Sequence, residues 1–211
     1  RSKGRLLSFD TSFTELRIED IPAWGFDGSS TYQAEGRMSD VRLVPVRFVR
    51  DPIRTICGDQ DILVLCETRN IDGTPHETNT RHRLAEAAQR YNAQEAIFGI
   101  EQEYTLYDRD GVRPLRWPEG PGYPAPQGRY YCGVGSDEVY GEEVMEAHTR
   151  ACLKAGIKIA GVNAEVMPSQ WEFQIGTLSA LEAADELWIA RWLLYKVAAR
   201  FGVSVKLDPK P

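Results

Sequence analysis

Alternation of apolar and polar positions is clearest in Phe98-Gly-Ile-Glu-Gln-Glu-Tyr-Thr-Leu106, where Ile100, Tyr104 and Leu106 share one side. Gly99, Glu101, Glu103 and Thr105 share the other, so the spacing predicts a strand over residues 96–107. Runs rich in Val, Ile and Leu predict further strands at 41–46, 62–66, 157–163, 171–176 and 203–207, with a short one over 1–9. Pro45 has no amide donor, which makes its strand an expected edge. Helical spacing appears at 81–93, where Leu84, Ala87, Ala88 and Tyr91 line up, and at 137–155, stopped by Gly156. A third helix opens on the capping box Ser179-x-x-Glu182 and ends at Gly202. Residues 112–136 carry too much Gly and Pro for a long element. Residues 21–30, broken by Pro22, Gly25 and Gly28, read as a loop. That loop carries Trp24 and Phe26, which implies that it is pinned to a surface or functional. A strand-rich stretch, residues 1–78, thus precedes a region, 79–211, where helices and strands alternate. The class is α+β, a sheet covered by helices.

The 211 residues, 42% hydrophobic and 27% charged, can fill a core and exclude disorder, collagen and coiled coil. No apolar run approaches the length of a membrane span, and the opening Arg1-Ser2-Lys3-Gly4 does not read as a secretory leader. With 31 acidic against 25 basic residues the net charge is -6, which argues against nucleic acid as the partner. Cys57, Cys66, Cys132 and Cys152 form no C-x-x-C pair and read as free thiols of a reducing cytoplasm. His76, His82 and His148 share no metal spacing. Any metal must therefore be held mainly by carboxylates.

Two stretches supply them. Glu101 and Glu103 lie about 7 Å apart on one strand face, where like charges repel unless a cation or base intervenes. In Asn163-Ala-Glu-Val-Met-Pro-Ser-Gln-Trp-Glu-Phe-Gln-Ile-Gly176, Glu172 and Gln174 share a face opposite Phe173 and Ile175. The turn at Met167-Pro-Ser169 can return Glu165 beside Glu172. One reading is an open, solvated face. The other is a four-glutamate cluster inside a curved sheet, holding hard divalent ions such as Mg²⁺ or Mn²⁺ that neutralise a nucleotide's phosphates. Neither a Walker A sequence nor G-x-G-x-x-G is present.

These stretches resemble the glutamine synthetase family in its type II, eukaryotic-like form. The match is carried by Trp24-Gly-Phe-Asp-Gly-Ser-Ser-Thr31, Glu77-Thr-Asn79, residues 98–106, Pro126-Gln-Gly-Arg-Tyr-Tyr-Cys-Gly-Val-Gly135, Glu146-Ala-His148, residues 160–176 and Asp208-Pro-Lys-Pro211, in family order. The resemblance implies a small N-terminal β-grasp domain over 1–78, incomplete at its start, then the first part of a catalytic domain over 79–211 with a curved antiparallel sheet flanked by helices. It implies ATP-dependent ligation of ammonium nitrogen to the γ-carboxylate of L-glutamate through a γ-glutamyl phosphate. Glu103, Glu165 and Glu172 match the ligands of one metal and Glu101 that of another, so two or more Mg²⁺ or Mn²⁺ ions are implied. Glu101, Glu172, Phe173, Gln174, Ile175, Gly176 and Thr177 match the nucleotide-binding positions. Asp27 matches the aspartate that binds ammonium in a neighbouring subunit's site. A cytoplasmic homo-oligomer of two rings with shared sites is implied as well.

By the same resemblance the catalytic domain continues beyond Pro211 with a metal-binding histidine, substrate-binding arginines and further glutamates. The chain alone is therefore expected to be incomplete and inactive. Two other outcomes stay open: ligation of glutamate to another amine such as a polyamine, and an inactive truncated or interaction paralogue.

Overall fold

A computed structural model of the protein describes all residues except Asp10, Thr55, Cys57–Asp59 and Pro209–Pro211. The reading of Cys57 as a free thiol and most of the Asp208-Pro-Lys-Pro211 match lie outside the described residues. The chain divides into two compact units, Arg1–His82 and Arg83–Pro211.

The first unit is built on a three-stranded antiparallel sheet in the order β1-β2-β3, with β1 Trp24–Asp27, β2 Asp40–Arg50 and β3 Ile62–Arg69. Three sequence expectations change here. Residues 1–9 form no strand; instead Lys3 and Arg5 lie over the Trp24 ring at 4.0 and 5.0 Å from its centroid. The expected loop at 21–30 contains β1, whose register runs from Trp24 opposite Leu43 to Asp27 opposite Asp40. Pro45 sits in the middle strand rather than at an edge. It lies past the end of β1, at a register shift between Pro45 and Arg47, so its missing donor leaves no gap in the β1 ladder.

The second unit holds a four-stranded sheet in the order β5-β6-β4-β7, every pairing antiparallel. Its strands are β4 Ile97–Tyr107, β5 Ile159–Ala164, β6 Gln170–Ser179 and β7 Ser204–Lys206. Helix α1, Thr80–Arg90, spans the boundary between the units and buries none of its residues. Helix α2, Glu142–Lys154, starts later than the periodicity predicts. Gly141 precedes it at φ 84°, a left-handed conformation, and a Cβ there would clash with Leu106 Cδ1. Helix α3, Ala180–Arg200, is opened by the Ser179–Glu182 capping box.

The expectation of a β-grasp domain followed by a curved sheet is corrected by this topology. Both sheets are open, of three and four strands, and neither curls or closes. The outer strand β7 is only three residues long and β5 six, too little ladder to carry the sheet round. What the second sheet does provide is two unlike faces. Tyr104, Leu106, Trp171, Phe173 and Ile175 fill one with the buried side of α3, Ile189, Ala190, Leu193 and Leu194. The other face carries the acids.

Candidate metal centre

Strand register builds the site. Glu103 lies opposite Glu172 and Glu101 opposite Gln174, so the four side chains share the face away from the helices. On the far side of β6, Asn163 of β5 pairs with Glu172 and Gly161 with Gln174. Glu165 follows β5 directly, and the turn through Ser169 at φ 62° brings it back: Glu165 N donates to Gln170 O at 2.9 Å, and Gln170 N to Met167 O at 3.1 Å. The result is a group of three carboxylates, Glu103, Glu165 and Glu172, each offering an oxygen within 4.8 Å of the others. Glu165 and Glu172 are buried and Glu103 is half-buried. Glu101, exposed, stands outside the group. Of the four acids expected to cluster, three lie together and Glu101 stands a step along β4.

Each of the three is oriented by an amide. Gln170 Nε2 donates to Glu103 Oε2 at 2.7 Å, Asn163 Nδ2 to Glu165 Oε1 at 3.3 Å and Gln174 Nε2 to Glu172 Oε1 at 2.9 Å. The Val166 N–H adds a bond to Glu165 Oε2 at 3.1 Å. These donors are neutral, so they fix the carboxylates without cancelling their charge. Three like charges brought this close in a half-buried site repel strongly unless a cation lies among them. An all-oxygen, anionic donor set suits a hard divalent ion rather than a soft one. The residues present fit such an ion.

Beside the acids, Glu101, Gln174, Ile175, Gly176 and Thr177 line an open groove of about 320 Å³. Phe173, also expected at a nucleotide, is fully buried with its ring 4.9 Å from that of His148, which leaves only its backbone for a ligand. The Pro126–Gly135 segment runs close to the cluster, since Cys132 N donates to Ala164 O at 3.0 Å. The Tyr131 hydroxyl is pushed up from its ordinary range chiefly by Cys132, with Glu165 and Glu172 contributing. Asn163, Gln170 and Tyr131 escaped the sequence reading. A signal existed for Asn163, which sits two residues from Glu165 in strand alternation, and none for Gln170, whose carboxylate partner is 67 residues away.

Asp27 is described within its own unit. It is exposed at the end of β1 and accepts bonds from Ser29 N at 3.0 Å, Ser29 Oγ at 2.7 Å and Ser30 Oγ at 2.6 Å. The Ser30, Ser39 and Ser29 hydroxyls hold its carboxyl well below the usual carboxylate range. Gly28 is required by close approach: a Cβ would meet Val41 Cγ2 at 2.6 Å and Ser39 O at 2.9 Å. Cys66, Cys132 and Cys152 are free thiols. No helix among the described residues is long and apolar enough to cross a membrane.

Comparison with known proteins agrees with this geometry. A family model described as glutamine synthetase, catalytic domain, matches residues 77–211. Glutamine synthetase of Streptomyces viridochromogenes is 62% identical over 194 residues, which cover 92% of this chain and 55% of that protein. The Streptomyces hygroscopicus glutamine synthetase is 54% identical over 211 residues, covering 100% and 58%, and the Drosophila melanogaster protein named glutamine synthetase 2 cytoplasmic is 50% identical over 211, covering 100% and 55%. The chain spans a little over half the length of these relatives. With the family model covering most of the chain and the acids of β4 and β6 brought together, the chain belongs to the glutamine synthetase family.

Proposed function

We propose that the protein of which this chain is part ligates ammonia to the γ-carboxylate of L-glutamate at the expense of ATP, through a γ-glutamyl phosphate. The observation that carries the reading is the group of Glu103, Glu165 and Glu172 within 4.8 Å beside an open groove. In this reading those three hold one Mg²⁺ or Mn²⁺, and Glu101, at the groove, holds a second. When bound, such ions neutralise the charge of ATP and of the glutamate carboxylate as phosphoryl transfer proceeds. The nucleotide takes the groove lined by Glu101 and Gln174–Thr177, with Glu172 at its edge and Phe173 contributing backbone.

Asp27 supplies the other half of the chemistry. A carboxyl kept ionised by surrounding hydroxyls is suited first to holding the ammonium cation, from which a proton must leave before nitrogen attacks. Residues 1–78 serve as the small domain that presents Asp27 to a neighbouring subunit, and 79–211 as the beginning of the catalytic domain, in a cytoplasmic two-ring homo-oligomer. Neither nucleic acid nor membrane is a partner.

The test is an assay of the full-length protein with ATP, L-glutamate, Mg²⁺ and either ammonium or a panel of amines. Glutamine and phosphate should form in equal amounts with ammonium. Turnover with a polyamine and none with ammonium would replace the reading by a different amine ligase. No turnover with any amine, by a folded protein that binds Mn²⁺, would leave an inactive paralogue.

A further inference from the structure

Gln170 is 1% exposed and belongs to neither the acids nor the groove, yet its side chain joins two of the three carboxylate-bearing segments. Its amide nitrogen donates to Glu103 Oε2 on β4 at 2.7 Å, while its amide oxygen accepts from Met167 N at 3.3 Å, inside the turn that carries Glu165 back. Its backbone holds the same turn, through Glu165 N to Gln170 O and Gln170 N to Met167 O. The turn is tied to β4 a second time by Leu106 N donating to Ser169 O at 2.9 Å.

We propose that Gln170 is the positioning residue of the carboxylate group, setting the separation of Glu103 from Glu165 so that one divalent cation is bound by both. The inference rests on the reading that the group holds a cation. Its chemistry narrows the choice of residue. A lysine or arginine here would orient Glu103 but neutralise it and compete with the ion. An asparagine is one methylene too short to reach Glu103 and the Met167 N–H together. Glutamine donates to one and accepts from the other without adding charge. Partners that orient metal ligands in this way typically change affinity by 10- to 100-fold when removed.

The experiment is a Mn²⁺ titration of the full-length protein, followed by the electron paramagnetic resonance of free Mn²⁺, for wild type, Gln170→Met, Glu103→Gln and the double variant. Gln170→Met keeps the length and loses the amide bonds to Glu103 and Met167, and its Mn²⁺ Kd should rise about tenfold. In the Glu103→Gln background the same substitution should change Kd less than twofold, because the group through which Gln170 acts has lost its charge. An unchanged Kd in folded Gln170→Met would overturn the proposal, as would an equal loss in both backgrounds, which is what a purely structural role predicts. Should Gln170→Met fail to fold, Gln170→Asn replaces it in the cycle with the same expectations, since it retains an amide but not the reach. A wild type that binds no Mn²⁺ would overturn the cation reading itself and this proposal with it.

Discussion

Asp27 and the Glu103–Glu165–Glu172 group are both sites of concentrated negative charge, and they are built in opposite ways. Asp27 is held from within one short stretch, by Ser30 and Ser29, three and two residues on, and by Ser39 at its far end. Its loop is closed by equally local bonds, Gln33 N and Ala34 N to Gly28 O at 2.8 and 3.2 Å. A distant tie comes from His76, whose Nε2–H donates to Gln33 O at 2.7 Å while Nδ1 accepts from Thr78. The glutamate group has local amides on Glu165 and Glu172, two residues away in each case, but no single stretch brings the three carboxylates together. It exists because β4 and β6 pair in one register and because a turn returns Glu165, so its partners come from as far as 67 residues away. A site of the first kind keeps its electrostatics as long as one turn persists. A site of the second kind is only as stable as the sheet beneath it.

The largest expected effect follows from that dependence. Trp171 is 3% exposed, pairs with Tyr104 across β4 and β6, and donates from Nε1 to Tyr140 O at 2.8 Å. Trp171→Ala should cost the second unit about 3–5 kcal/mol, the usual range for emptying a buried aromatic position. Mn²⁺ binding should fail together with the unit's cooperative unfolding transition, while hydrogen exchange at residues 28–34 should not change. Loss of protection at 28–34 as well would mean that the Asp27 loop is not locally maintained.

Acid should separate the two regions next. His148 on α2 is buried among Cys152 on its own helix, Ala190 O of α3 at 3.0 Å and the Phe173 ring of β6, with Cys152 Sγ 3.2 Å from Nε2. A carbonyl only accepts, so Nε2 carries the proton and Nδ1 is an acceptor without a partner among the described residues. Burial lowers the ring's pKa from 6.5 to about 4. The unfolded chain therefore binds a proton that the folded one refuses, and stability falls as pH drops from 6.5 to 4. The loss is on the order of 3 kcal/mol and belongs to the second unit. Urea unfolding of wild type against His148→Gln across that window measures it; equal pH slopes for the two would remove His148 as the cause. Asp27 acts in a lower window. Its folded pKa is depressed, so its contribution is present above the ordinary 3.8 and is lost as pH falls toward the lower folded value.

The same contrast explains how much the sequence discloses. Local signals were legible: alternation over 98–106, the Ser179–Glu182 box that opens α3, and the helix-stopping Gly156. So was the sharing of a face by Glu101 and Glu103, because parity along one strand is fixed by its geometry. The strand β1 was hidden by Pro22, Gly25 and Gly28, whose loop signals mask four residues that pair only because β2 is there. Gln170 and the exclusion of Glu101 from the three-acid group depend on register between strands, which no single stretch encodes. The curved sheet, expected both as the setting of the acid cluster and from the family resemblance, is not formed, since four strands ending in a three-residue edge do not curl.

The smallest effect tests how local the Asp27 site is. Ser30 Oγ makes the largest contribution to lowering the Asp27 carboxyl, ahead of Ser39 and Ser29. Ser30→Ala removes one donor from Asp27 Oδ2 and leaves the Ser29 bonds to Oδ1 and Oδ2 in place. The carboxyl carbon resonance of Asp27, followed by NMR through an acid titration, should move its midpoint upward toward 3.8 without reaching it. Because the side chain is open to solvent, global stability should hardly respond. Mn²⁺ affinity should stay at the wild-type value, since the amides that hold the three glutamates come from Asn163, Gln170 and Gln174. An unmoved midpoint would show that Ser30 does not hold the Asp27 carboxyl, and the division between a locally built site and one built by sheet register would fail at its simpler end.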